Sequence, residues 1–496
     1  MGRGAKEHDV EARPARPGAG QDPYLDDNPL GSEPVPRLLL KYAPPAILSM
    51  MVTAVYNIID TFFVGHAVGQ NGIAATTVAM PLMMLMGAFA MWFGAGGNAR
   101  AALKLGAGQM GEAERSLGNT LTVLVAVPLA LSVVCLLSLE PVLTFLGATD
   151  ANRELSREFC HIIVGGFVIQ AIGMGLSNFI RTDGQPAYAL AVMAAGAAAS
   201  CVLNYLLVMV AGLGMRGSAL ATVGGQLVSA VLVVQYFVGR RCRLRLRRAN
   251  LAPDLALIGS IAALGLSTFA VNVAASLTMS MLNVQIASLG ASDPVGVDGG
   301  LASIGTAQKI IQLLFFVVLS FSIAAQPILG YNYGARRYHR VTHTLWITVA
   351  AGVVTNLVLW ALCLAFSSQI MAFFNLPESL HDFAGVAFLN MTFLFPVVPV
   401  QVIGSNYFQA TGQPLKATFL TLTRQLIFYL PALFVVPQVM PLLLPDASPL
   451  TALTCAPAVA DALAIVVTGC FLVREMGRMR GLEREQHARM AAGEAR

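Results

Sequence analysis

NFIRTDGQP, residues 178–186, returns as NYFQATGQP at residues 406–414, and this echo decides how the rest of the chain is read. Asn178, Gly184, Gln185 and Pro186 match Asn406, Gly412, Gln413 and Pro414 at a single offset of 228 residues. The same offset carries Gly106 and Ala107, in KLGAGQ, onto Gly334 and Ala335, in NYGARR. Gly and Pro mark turns everywhere, so one match would carry little. Two loops in one register point to an internal duplication.

What is duplicated is apolar. The 496 residues are 56% hydrophobic and only 11% charged, with a mean hydropathy of +0.68. Soluble domains carry about 25% charged residues, so this composition excludes an ordinary soluble enzyme or nucleic-acid-binding module. Twelve mostly apolar stretches are each long enough to cross ~30 Å of hydrocarbon as a helix. They lie near 38–63, 72–98, 116–138, 158–180, 187–211, 217–238, 256–288, 300–328, 342–367, 383–408, 415–440 and 451–473. The expected fold is an all-α integral membrane protein, with twelve transmembrane helices in two parallel-repeat six-helix lobes. Because six is even, both lobes start on the same side of the membrane. Transporters that rock one lobe against the other around a site between them are built this way.

Charge sets the orientation. Six arginines fall in GRRCRLRLRR, between the sixth and seventh spans, and the positive-inside rule makes that loop cytoplasmic. Both termini are then expected inside, in the cytoplasmic (inner) membrane. The division expected is a disordered cytoplasmic tail at 1–36, an N-lobe at 37–239, a basic cytoplasmic linker at 240–255, a C-lobe at 256–475 and a cytoplasmic tail at 476–496. The Gly- and Pro-rich start of the chain lacks the apolar core of a signal peptide. Cys135, Cys201, Cys363, Cys455 and Cys470 lie within spans and read as packing residues.

Ionisable groups inside spans cost about 2.5–3.5 kcal/mol on insertion scales and mark function by default. Asp60, in NIIDTFFVGH, lies about 28 Å along its helix from Lys41, in the outer half. Ser200 and Asn204, four apart on one face of the fifth span, and Thr222 on the sixth fall in the same layer. In the second half Asp461, Lys309 and Arg424 read as one cluster, most simply a structural salt bridge, with a second coupling site as the alternative. Asp183 reads as a turn residue able to hold a gating contact with Arg181. Asn57, Gln170, Asn283, Gln308, Gln312 and Met86 are candidates for the substrate path, since soft Met side chains suit a surface that repacks around many ligands.

The first-span pattern PPAILSMMVTAVYNIIDTFFVGH, the two GQP loops, SALATVGGQ and CAPAVAD together resemble the multidrug and toxic compound extrusion (MATE) transporters over about 38–475. The resemblance implies a cation-coupled (H⁺ or Na⁺) antiporter that exports amphipathic, often cationic drugs by alternating access. It implies no enzyme activity and no organic cofactor. Expected partners are small organic solutes and the lipid bilayer, with no nucleic acid, and the expected state is a monomer. A lipid-linked precursor flippase or metabolite exporter of the same superfamily is the alternative. Resembling proteins commonly place Asn and Asp four apart on the fifth span and a Thr on the sixth. Here Ser200 stands for the Asn and Asn204 for the Asp, while Thr222 agrees. With that second carboxylate missing, a lone buried Asp60 in neutral surroundings is suited to load and release a proton. Sodium is the alternative, and no other metal site is expected.

Overall fold

The computed structural model describes residues 28–68, 70–146, 153–239, 242–373, 377–443 and 448–494, and every regular element among them is a helix. Eleven helices are long and apolar enough to cross a membrane, and twelve when one bent pair is taken as a single span. In the first lobe α1 is Val35–Ala67, α2 is Gln70–Gly106 and α3 is Met110–Leu137. The bent pair Arg153–Gly165 and Phe167–Thr182, turned by 53°, is α4. Pro186–Asn204, running on as a π-helix over Tyr205–Val210, is α5, and Gly214–Val238 is α6. The second lobe follows as α7 (Leu255–Gly290), α8 (Gly296–Gly334) and α9 (Tyr338–Ala365). The next span, α10, joins His381–Thr392 to Val398–Ala410. Pro414–Leu422, a π-helix over Thr423–Tyr429 and Leu430–Leu443 make α11, and Ala456–Glu494 is α12.

The motif that announced the repeat has a backbone cause. Gly184 and Gly412 end α4 and α10 at φ +97° and +79°, where a side chain would be strained, and Pro186 and Pro414 then start α5 and α11 with φ already set. The α2–α3 turn uses Gly108 at φ +73°. Its counterpart at the 228-residue offset, Arg336, holds φ +56° without being glycine, a conformation costing about 1–2 kcal/mol.

α2 and α8 cross at the boundary between the lobes. Ala102 lies under Gly330, its own counterpart at the offset, and a Cβ built on Gly330 would stand 2.9 Å from the Ala102 Cβ. A Cβ on Gly106 would overlap the Tyr331 carbonyl, and one on Gly334 would overlap the Leu103 carbonyl. Residues 103 and 331, and 106 and 334, are again counterparts, so the contact is reciprocal, as a two-fold axis between α2 and α8 requires. Among the described residues, the hydrogen bonds that join the lobes lie toward the end carrying the basic linker, here called the basic end. Asn98 donates to Gln326 at 3.4 Å, Arg100 to the Ser260 hydroxyl at 2.8 Å and the Trp92 indole to the Ala262 carbonyl at 2.7 Å.

One expectation about the segments outside the spans changes, that of a disordered stretch up to residue 36, and two other segments gain detail. Residues 28–36 are folded: Asn28 caps a short helix, Pro29–Ser32, and Leu30 is fully buried. Residues 1–27 of the expected tail lie outside the described residues. The basic linker is pinned, because Cys242 and Leu244 are buried while Arg243, Arg245, Arg247 and Arg248 point outward. The Asp183 carboxylate accepts from the amides of Arg243 and Leu244 and from the Tyr236 hydroxyl at 2.6 Å, and the Glu114 carboxylate takes Arg247 at 2.9 Å. At the far terminus α12 continues as helix through Glu494, past the expected start of the tail at 476.

Candidate functional site

The half of α1 away from the basic end supplies the acid. The Asn204 amide donates to Asp60 Oδ1 at 3.0 Å, and the Ser218 hydroxyl donates to the same oxygen at 3.3 Å. Tyr56, one turn before Asp60 on α1, donates its hydroxyl to Thr222 at 3.0 Å. Ser200 donates to the Ala221 carbonyl at 3.1 Å, tying α5 to α6 beside the acid. Asn204, Ser200, Ser218 and Thr222 are all at most 3% exposed, and Asp60 is partly buried. Helix α1 thus meets α5 and α6 in one polar layer, with Asp60 its carboxylate. Among the described residues no basic side chain pairs with Asp60, and the Asn204 carbonyl oxygen is buried without a partner.

The structure therefore brings together Asp60, Asn204 and, one bond further out, Thr222 and Ser200. Sequence reasoning missed Tyr56 and Ser218. Each lies four residues before a residue that was named, Asp60 and Thr222, on the same helical face. That spacing was the signal available. The π-helix that opens directly after Asn204 was not legible; such segments widen the helix locally and recur at functional sites.

In the second lobe Arg424 Nε donates to Asp461 Oδ1 at 2.7 Å, with Asp461 3% exposed. Arg424 lies inside the π-helix of α11, as Asn204 abuts that of α5. Lys309 is exposed, and the hydrogen-bonded partner of Asp461 is Arg424. The remaining candidates are scattered. Met86 is packed in the core, Gln170 and Gln308 are half-buried, and Asn283 and Gln312 are exposed. For Asn57 the side chain lies outside what is described.

At the basic end the expected contact between Asp183 and Arg181 does not form. Asp183 turns to α6 and the linker, whose two amides and one phenol satisfy it. Burial pushes its carboxyl above the usual value, opposed by those three hydrogen bonds. Arg181 turns the other way and donates to the Asn178 side-chain oxygen Oδ1 at 2.8 Å. The second lobe exchanges the roles: Thr411 stands at the Asp183 position, and the acid is Glu475 on α12, held by Gln413 at 2.8 Å and Lys416 at 3.1 Å.

Comparison with known proteins bears on this arrangement. The MatE family profile matches residues 45–206 and 271–434, one match in each lobe. A FAD transporter of Shewanella oneidensis is 22% identical over 417 residues, covering 82% of this chain and 89% of the relative. The multidrug export protein MepA of Staphylococcus haemolyticus is 19% identical over 399 residues, covering 80% and 86%. Among solved structures, an outward-facing multidrug resistance MATE family transporter of the MOP superfamily superposes with a TM-score of 0.82 at 20% identity, covering 93% of this chain and 98% of that one. A MOP superfamily transporter from Pyrococcus furiosus gives 0.81 at 21% identity over the same shares.

Proposed function

This chain belongs to the MatE family of membrane transporters, and from that membership we propose that it exports small amphipathic organic compounds in exchange for protons that enter at Asp60. MATE proteins are transporters, not enzymes, so the work of the fold is binding and movement. The observation that carries the coupling role is Asp60 itself, a carboxylate in a layer of neutral donors, with Asn204 and Ser218 on one oxygen and no cation paired to it among the described residues. A proton neutralises such a group at the cost of little rearrangement. Its arrival and departure change how the acid is held by α5 and α6, and so bias the packing of α1. Multidrug export by relatives named MepA supports the amphipathic substrate class. The seam of hydrogen bonds at the basic end supports an outward-facing state, with the basic end cytoplasmic and both termini there.

Accumulation of ethidium in cells expressing the chain, with and without an uncoupler, tests this reading. Uncoupler-sensitive efflux that Asp60→Asn abolishes is expected, and undiminished efflux by that variant overturns the coupling role. A second reading takes sodium as the coupling ion. It is favoured by the Asn204 carbonyl, a buried oxygen left without a donor beside Asp60. Efflux that follows a sodium gradient and ignores pH selects it.

A further inference from the structure

One buried charge is used by nothing described so far. Arg181 on α4 is 4% exposed, and among the described residues its single hydrogen-bond partner is the Asn178 side-chain oxygen Oδ1, at 2.8 Å from Nη1. No carboxylate of the described residues pairs with it, since Asp183 two residues later is committed to Tyr236 and the linker amides. A guanidinium carries five N–H donors. Burying one without an acid costs several kcal/mol, and buried charges are otherwise paired.

The repeat shows that the fold does not require this charge. The counterpart of Arg181 at the 228-residue offset is Gln409, a buried neutral side chain. Its amide is satisfied by the Leu264 carbonyl at 2.9 Å and the Thr268 hydroxyl at 3.0 Å. One lobe fills the position with a saturated amide, and the other keeps a cation with donors to spare.

The position of Arg181 is equally specific. Its neighbour Thr182 donates to Asn98 at 2.7 Å, and Asn98 is the residue that reaches across the lobe boundary to Gln326. Its partner Asn178 lies against Met91 of α2. The guanidinium therefore belongs to the α2–α4 face beside the seam, and parting the lobes at the basic end uncovers that face. Asp60 stands toward the other end of the same lobe, so a solute crossing from the basic end meets the cation first and the acid later.

We propose that Arg181, oriented by Asn178, captures an oxyanion group, phosphate or carboxylate, on solutes entering from the basic end. Arg presents a planar fork that matches such groups through two parallel hydrogen bonds. The substrate class is specified accordingly: amphipathic compounds, among them ones that carry an anion beside an apolar body. This inference rests on the exporter reading above.

FMN and riboflavin share one ring system and one ribityl chain and differ only in the terminal phosphate, so the pair isolates the anion. Binding of each is measured on the purified full-length protein in neutral detergent. Wild-type protein is expected to bind FMN at least ten-fold more tightly than riboflavin, Arg181→Gln to reduce the ratio to near one, and Arg181→Lys to retain part of it. An unchanged ratio in Arg181→Gln, or no preference in the wild type, overturns the proposal. Phosphatidylglycerol that displaces FMN from wild-type protein at comparable concentration assigns the site to a lipid headgroup and overturns capture of a solute. A monodisperse size-exclusion profile and a helical circular-dichroism spectrum matching the wild type show that Arg181→Gln folds. Loss of ethidium efflux in the wild type sinks the exporter reading, while the binding ratio still judges Arg181.

Discussion

Asn98 donates across the lobe boundary to Gln326, its own counterpart 228 residues later. With Ala102 under Gly330, and Gly106 and Gly334 each against a carbonyl of the opposite helix, the contact makes α2 and α8 a closely packed crossing at the basic end. Glycine is needed there for approach, not for backbone freedom. Gly106→Leu forces the two helices apart where the Tyr331 carbonyl now sits. Spin labels on the basic ends of α2 and α8 are expected to show a longer and broader distance distribution in this variant. An unchanged distribution would mean that the seam yields elsewhere.

The missing second carboxylate makes a sharper test of the coupling ion than its removal could. Asn204 already donates to Asp60, and Ser218 completes the cradle. Asn204→Asp places two acids on one site, where one retains a proton or both share a cation. Efflux by this variant is expected to gain stimulation by sodium and lose much of its dependence on the proton gradient. If sodium has no effect on Asn204→Asp, the neutral partner is not what sets the ion.

The linker tests how buried acids organise the basic end. Replacing Asp183 by Ala leaves the Tyr236 hydroxyl and the amides of Arg243 and Leu244 without their acceptor. Each buried unsatisfied group costs about 1–3 kcal/mol, so release of the linker is expected at a cost of about 3 kcal/mol. Trypsin should then cut in the arginine-rich segment at least ten-fold faster than in the wild type. Equal cutting rates would show that Glu114 and its bond to Arg247 suffice.

Most of this architecture was legible in the sequence, and the reasons are local. Twelve apolar runs fix the spans, and GQP fixes two turns because glycine at positive φ followed by proline has one structural use. Asp60, Asn204 and Thr222 could be placed in one layer because helical rise converts residue number into depth. What could not be read is what depends on the azimuth of side chains. Tyr56 and Ser218 are ordinary residues until α1, α5 and α6 are docked, and Asp183 could equally have faced Arg181 before the linker was seen to fold onto it. The π-helices in α5 and α11 turn the polar residues at their edges by an amount no 3.6-residue periodicity predicts.

The ion pair of the second lobe separates a structural role from a coupling one. Breaking a buried pair from one side leaves a bare charge, at about 3–5 kcal/mol, whereas replacing both members by apolar residues is close to neutral. Asp461→Asn is therefore expected to lower the thermal unfolding temperature in detergent by several degrees, and Asp461→Leu with Arg424→Met to recover most of the loss. Transport per folded molecule should survive in the double variant. Its abolition there, with stability intact, would make Asp461 a second coupling acid.

The folded start of the chain is a latch between lobes. It precedes α1, yet its carbonyls bond to the second lobe: Leu30 to Asn332 at 2.9 Å, Gly31 to Arg337 at 2.6 Å and Glu33 to Arg340 at 2.7 Å. Leu30 is fully buried in this contact, and Arg340 Nε in turn donates to the Asn332 side-chain oxygen Oδ1 at 3.0 Å. Three charge-assisted or buried bonds across one boundary favour the closed basic end, and they act by differential affinity for that state. Leu30→Asp puts a charge into the apolar half of the contact and weakens it without touching Asp60. With native cysteines replaced by serine and Ala102→Cys as reporter, labelling by an impermeant maleimide from the basic side is expected to rise several-fold in Leu30→Asp. The same rise should follow deletion of residues 1–33. Labelling that stays at the level of the intact chain in both variants would show that α2 and α8 hold the seam without the latch.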